Sequence, residues 1–146
     1  MKSRVLILAL LLSPATALAQ GLTGAYRVQG NEPARGDYSG QVHLTWTGSD
    51  YRMVREIEYS TWSYRGHPVS TVWEGRANDV RGGLGVTLSL DRMGWAVEGA
   101  GRRRTPADGS PMAVAGALQL VGTDLVGTFS GQGAPFNTRP ERWAKL

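Results

Sequence analysis

The 146-residue chain contains no cysteine. That excludes disulfides, thiolate nucleophiles and cysteine-ligated metals. It also excludes a bacterial lipoprotein, which needs a cysteine at its cleavage site to carry the lipid. Histidine is scarce, with only His43 and His67. Neither has a metal-ligand spacing, and no G-x-S-x-G elbow is present, so a nucleophilic triad has little to work with. Helical periodicity is equally thin: no window of a dozen residues repeats its apolar positions every 3.6. Beyond the first nineteen residues no apolar run is long enough to span a bilayer. Glu56 and Glu58 would share a strand face, as acid–base chemistry can require, but any solvent-facing strand produces that i, i+2 pair. The expectation is a protein that is not an enzyme, with no catalytic residues, no metal and no cofactor.

What is present begins with MKSRVLILALLLSPATALAQ. Lys2 and Arg4 precede an apolar run over residues 5–12, Pro14 breaks it, and Ala17-Leu18-Ala19 is a small-x-small cleavage site. Residues 1–19 thus read as a cleaved secretory signal peptide and 20–146 as a single β-barrel-like domain. Losing two of sixteen basic residues against twelve acidic lowers the formal charge from +4 to +2. The expected location is the bacterial periplasm or the exterior, where no nucleic acid is expected as a partner. No transmembrane segment remains after cleavage.

The mature chain reads as short alternating runs separated by turn residues, which is an all-β pattern. Strands are expected over 24–29, 38–47, 51–59, 69–77 and 84–90, then from Trp95, and over 112–121 and 125–130. Turns are expected at Gly48-Ser49-Asp50, at Arg65 to Pro68, at Asp91 to Gly94 and at Gly122-Thr123-Asp124. LTWTGSDY (44–51) and LQLVGTDL (118–125) echo each other, as two hairpins with the same turn chemistry would. The last residues, APFNTRPERWAKL, suggest a closing strap or a short helical turn. About eight strands joined this way predict a single antiparallel meander, closed as a small β-barrel because closure removes exposed edges.

Gly24-Ala25-Tyr26 stands on the first strand. In that position it resembles the G-x-W motif that opens the calycins, the group of lipocalin-type and avidin-type up-and-down barrels. The resemblance implies a barrel of this architecture, with a basic residue near the C-terminus covering the aromatic. Arg139 or Arg142 would be that residue. Tyr here replaces Trp.

The chemistry-bearing stretch is YRMVREIEY, residues 51–59. In a strand Tyr51, Met53, Arg55, Ile57 and Tyr59 share one face, which puts a guanidinium in an apolar row. An unpaired inward charge costs several kcal/mol, so Arg55 needs a carboxylate, carbonyls or an acidic ligand. Three arrangements are open. Arg55 receives a ligand, pairs internally with Glu74, or is turned outward by a bulge between Met53 and Glu56. Of twelve aromatic residues, eight lie between Tyr26 and Trp73. The ligand-binding candidates are therefore Arg55, Tyr26, Trp46, Met53, Tyr59 and Trp73.

Arg102-Arg103-Arg104 sits among Thr105, Pro106, Asp108 and Gly109, the composition of a solvated loop. Arg35-Gly36-Asp37 spells the integrin-binding tripeptide, which chance explains in a chain rich in Arg and Gly. Short strands and a tail ending R-W-A-K-L argue against an outer-membrane barrel. Two functions follow as expectations. The first is an exported, non-enzymatic binding protein holding a small apolar or acidic ligand in the barrel. The second is an interaction module without a cavity, such as an inhibitor of an envelope hydrolase or an accessory domain. Its envelope protein partner would be met through 30–37, 64–68 and 102–111. A carrier should show a connected internal void with Arg55 at its wall and no protein carboxylate on it; a module should show a packed interior and an exposed loop aromatic such as Trp62 or Tyr64.

Overall fold

The computed structural model describes residues 21–64, 66–95, 113–131 and 137–146. Its eight strands are β1 (Gly24–Glu32), β2 (Gly36–Trp46), β3 (Tyr51–Tyr64), β4 (His67–Val80), β5 (Gly83–Trp95), β6 (Ala113–Val121), β7 (Asp124–Gly131) and β8 (Glu141–Lys145). Each pairs antiparallel with the next, and β8 pairs back onto β1. The result is an all-β meander closed into a barrel, as the alternation predicts.

Alternation sets the two faces. Tyr26 and Val28 on β1, Val42 and Leu44 on β2, and Leu84, Val86 and Leu88 on β5 are buried inside. Arg27, Gln41, His43, Arg52, Glu56, Glu58 and Arg76 are exposed outside. An outer-membrane barrel reverses this pattern by carrying its apolar band outward.

The two ends differ. One end, here the turn end, carries the β2–β3, β4–β5 and β6–β7 turns. The last two are two-residue turns, Arg81-Gly82 and Gly122-Thr123, with Gly82 and Gly122 at φ 77° and 64°. That left-handed backbone is what tight hairpins require. The two echoing segments of the sequence are thus turns at the same end. Leu22 plugs this end, where Tyr26, Tyr51, Ala77, Leu84, Leu118 and Leu125 are all fully buried. The opposite end, the loop end, carries the other four connections.

Several local expectations need correction. Asp91 to Gly94 is not a turn: β5 runs through it to Trp95, and its pairing with β4 shifts between Val72 and Trp73. Trp95 therefore ends the fifth strand and does not start a sixth. The eighth strand comes from the tail, whose described residues 137–146 form no helical turn and close the barrel as a strand between β7 and β1. Residues 30–37 are mostly strand, with only 33–35 between β1 and β2. Residues 102–111, including the triple arginine, lie outside the described residues, as do 1–20.

Candidate functional site

The register from β2 to β3 is unbroken from Trp46↔Tyr51 to Tyr38↔Tyr59, so no bulge separates Met53 from Glu56. Arg55 therefore points inward and is 4% exposed. Its partner is Glu141 on β8, a fully buried carboxylate whose Oε1 accepts from Arg55 Nη2. Glu74 is exposed on the outer face and cannot serve. The second Glu141 oxygen accepts from the Trp143 indole N–H at 3.0 Å. Burial alone would lower the Arg55 pKa; the Glu141 charge, with smaller contributions from Tyr38 and Tyr59, more than offsets it, and the guanidinium stays protonated.

Two rings flank the guanidinium, Tyr38 at 5.4 Å and Phe129 at 5.3 Å. Each lies over a glycine on the neighbouring strand. A Cβ at Gly30 would come within 2.5 Å of the Tyr38 ring, and one at Gly116 within 2.6 Å of Phe129. Gly30 pairs with Tyr38 and Gly116 with Phe129, so the bare backbone opposite lets each ring lie flat against the wall. From this centre an aromatic column runs both ways. Phe129 stacks on Trp143 at 6.3 Å, and Trp143 meets Tyr26 at 6.2 Å. Tyr38 meets Tyr59 edge-on at 5.3 Å, and Tyr59 meets Trp62 at 4.9 Å.

A second, part-buried pair stands at the loop end. Glu32, 2% exposed, accepts from Arg35 and, at 3.2 Å, from the Tyr59 hydroxyl. Arg35 lies 4.8 Å over the Trp62 ring. The β3–β4 register shifts between Glu58 and Ser63, and this irregularity brings both Tyr59 and Trp62 against the core. Arg35 is thereby held at the rim instead of being presented as part of a free tripeptide. On the adjacent strand Trp73, the register partner of Arg55, donates its indole N–H to Thr71 Oγ1 at 2.9 Å.

The six sequence candidates therefore divide. Arg55, Tyr59 and Trp73 gather in the loop half. Tyr26, Met53 and Trp46 lie toward the turn end, with Tyr26 donating to the Leu22 carbonyl at 2.7 Å and Trp46 against Tyr51 at 5.1 Å. The cation covering Tyr26 is Lys145, 5.9 Å above its ring and bonded to the Gly21 carbonyl, and not Arg139 or Arg142. Glu141, Glu32, Tyr38 and Phe129 complete the site and were not among the candidates. Tyr38 was within reach of the sequence, because it extends the Val42–Leu44–Trp46 face by two alternations.

Both halves are closed to solvent. Tyr26, Met53, Leu118, Trp143 and Glu141 are 0% exposed, and Arg55, Tyr59 and Trp73 keep 3–5%. Among the described residues three buried polar atoms have no hydrogen-bond partner: Tyr38 Oη, Arg55 Nε and Tyr51 Oη. Two of the three meet in the loop half. Such atoms are costly inside a protein unless something else satisfies them.

The buried phenols give a test of this interior. Burial first, then the neighbouring carboxylates, hold Tyr38 and Tyr59 far above the ordinary phenol range, and burial pushes Tyr51 up to about 12. A phenol raised in the folded state adds stability below its unfolded pKa, and that stability is lost as pH rises toward the folded value. Stability is therefore expected to hold up to about pH 10 and then fall. In absorbance titration near 295 nm these tyrosines should ionise only together with loss of the β-sheet circular dichroism. Smooth ionisation with the sheet intact would mean that the interior is wet.

No family model matches this chain, and no curated protein does. Among solved structures it is similar to a redesigned beta barrel, mFAP1, bound to DFHBI. The two share 16% identity at a TM-score of 0.57, over 89% of this chain and 98% of that one. At this identity the likeness establishes the fold alone. The eight-stranded antiparallel barrel fits a calycin-like fold, and among the described residues no helix is long and apolar enough to cross a membrane.

Proposed function

We propose that the chain is an exported, non-catalytic binding protein that holds a small ligand in the loop half of its barrel. The observation that carries this reading is the pair of orphaned polar atoms, Arg55 Nε and Tyr38 Oη, in the aromatic half of the lumen. An eight-stranded barrel can enclose one small ligand, and ligand sites are mostly apolar with a few convergent polar groups. The similar barrel mFAP1 is bound to DFHBI, which is compatible with this use of the fold. Export rests on the leader-like composition of residues 1–19.

The test is native mass spectrometry of the protein expressed in full and purified gently from its own host. The expected spectrum shows a chain beginning at Gln20 with a reproducible added mass that denaturation removes. A bare chain, again bare after incubation with host lipid extract, would overturn the carrier reading.

One observation favours the second reading, an interaction module. Val80, Leu120 and Val121 are exposed at adjoining hairpin tips of the turn end. With Leu22 and the Arg81-Gly82 turn, Val80 and Leu120 border a groove of about 420 Å³. Neither reading meets all of its own criteria: among the described residues, Arg55 lines neither this groove nor the cavities bordered by Tyr38 and by Gly40. Arg55 does carry a protein carboxylate, and Trp62 is packed under Arg35 instead of standing free. The side chain of Tyr64 lies outside the described residues. A bare chain in the mass spectrum would shift the function to this module.

A further inference from the structure

We infer that the loop-half site selects an uncharged ligand bearing a hydrogen-bond acceptor, such as a ketone, ester or alcohol on an apolar body, and discriminates against carboxylates. The inference rests on the carrier reading and names its ligand class.

Charge carries it. Among the described residues one ion pair is fully buried, Arg55 with Glu141, and a second, Arg35 with Glu32, stands at the rim, so each cation there meets a carboxylate. Glu141 is fully buried and already accepts from both Arg55 and Trp143. A ligand carboxylate placed against Arg55 would bring a second negative charge up to Glu141 in a low-dielectric interior. Like charges at that range repel, and burying an unmatched one is costly. Displacing Glu141 would strand that carboxylate and the indole N–H instead.

Geometry narrows the remaining chemistry. Tyr38 and Phe129 flank the guanidinium, and Nη2 is committed to Glu141. Among the described residues the fully buried donors left here without a hydrogen-bond partner are Arg55 Nε–H and the Tyr38 hydroxyl, which stands beside Glu141. A neutral acceptor oxygen can take either of these donors without adding charge beside Glu141, whereas a carboxylate is best met by a guanidinium that carries no carboxylate already. Trp73 pairs with Arg55 across β3 and β4 and, with Val69, Val86 and Leu88, belongs to the buried apolar side chains of β4 and β5.

The experiment uses two probes that share one apolar body, cis-parinaric acid and its methyl ester, titrated by fluorescence into the mature protein at pH 7.5. The ester is expected to bind at least about tenfold more tightly than the acid, the scale on which an unmatched buried charge is disfavoured. Tyr38→Phe keeps the ring over Arg55 and removes only the hydroxyl. It should weaken the ester about fivefold, as loss of one hydrogen bond does. Equal binding of the two probes, or tighter binding of the acid, would overturn the charge selectivity and leave the carrier reading standing. An unchanged ester affinity in Tyr38→Phe would remove Tyr38 from the site. Binding of neither probe, with no added mass in the native spectrum, would overturn both inferences together.

Discussion

Replacing Glu141 with Gln is expected to destabilise the barrel by about 3–5 kcal/mol in urea unfolding, the usual cost of removing one partner of a buried ion pair. Gln keeps the shape of the side chain and an acceptor for the Trp143 indole, so the change isolates the charge. What remains is a guanidinium 4% exposed, with two rings beside it and no carboxylate on it. Cation–π attraction offsets only a fraction of that loss, about 0.5–2 kcal/mol. Arg55→Leu is expected to be similarly harmful from the other side, because it strands a carboxylate that is fully buried. For that reason Arg55→Leu alone is a poor test of ligand binding. The double variant Arg55→Leu with Glu141→Leu should recover most of the loss, since well-packed apolar residues often replace a buried pair at little net cost. It would still leave the Trp143 N–H without an acceptor, a residual cost of about 1–3 kcal/mol. A Glu141→Gln variant within about 0.5 kcal/mol of wild type, the range of ordinary surface changes, would mean that the pair is hydrated and not structural.

The ion pair also shows where sequence reading reaches its end. That Arg55 faces inward follows from alternation and from the Gly48-Ser49-Asp50 turn, which pairs Trp46 with Tyr51 and carries the register unbroken to Arg55. Its partner does not follow, because Glu141 stands 86 residues away in a five-residue strand with too few alternations to be recognised. Closure held the missing signal. A barrel that begins at Tyr26 needs a last strand beside it, and Trp143 is the one bulky aromatic in the tail after Pro140. Glu141, two residues earlier, shares its face. The error at Asp91 to Gly94 has a different origin: these are turn-forming residues, yet β4 is fourteen residues long and β5 pairs with it as far as Trp95. Local propensity gave way to the length of the neighbouring strand. The resting places of Tyr38 and Phe129 depend on Gly30 and Gly116, and a glycine in a strand does not announce which ring will lie over it.

Trp143→Ala is expected to be the most damaging single truncation, with loss of the folded state in the weakest case. The ring is fully buried, stacks on Phe129 with planes 17° apart, and meets Tyr26. Its backbone pairs with Val28 on one side and Leu125 on the other, so it stands where β8 closes the barrel. Truncating a buried Trp to Ala costs about 3–5 kcal/mol from lost transfer energy and the cavity left behind. Glu141 then loses its indole donor as well, adding about 1–3 kcal/mol for the stranded oxygen. Domains of this kind have about 5–15 kcal/mol of total stability, so the sum reaches the lower end of what is available. Trp143→Phe separates the two contributions. It keeps most of the ring contact and removes the indole N–H, so its cost should fall near the hydrogen-bond share alone. Far-UV circular dichroism against urea measures both variants without relying on tryptophan emission, which the substitutions themselves change. If Trp143→Ala unfolds no earlier than Trp143→Phe, the ring is not what holds β8 to the barrel. Closure would then depend on the backbone ladders and on the Arg142–Asp124 pair at 2.5 Å on the outer face.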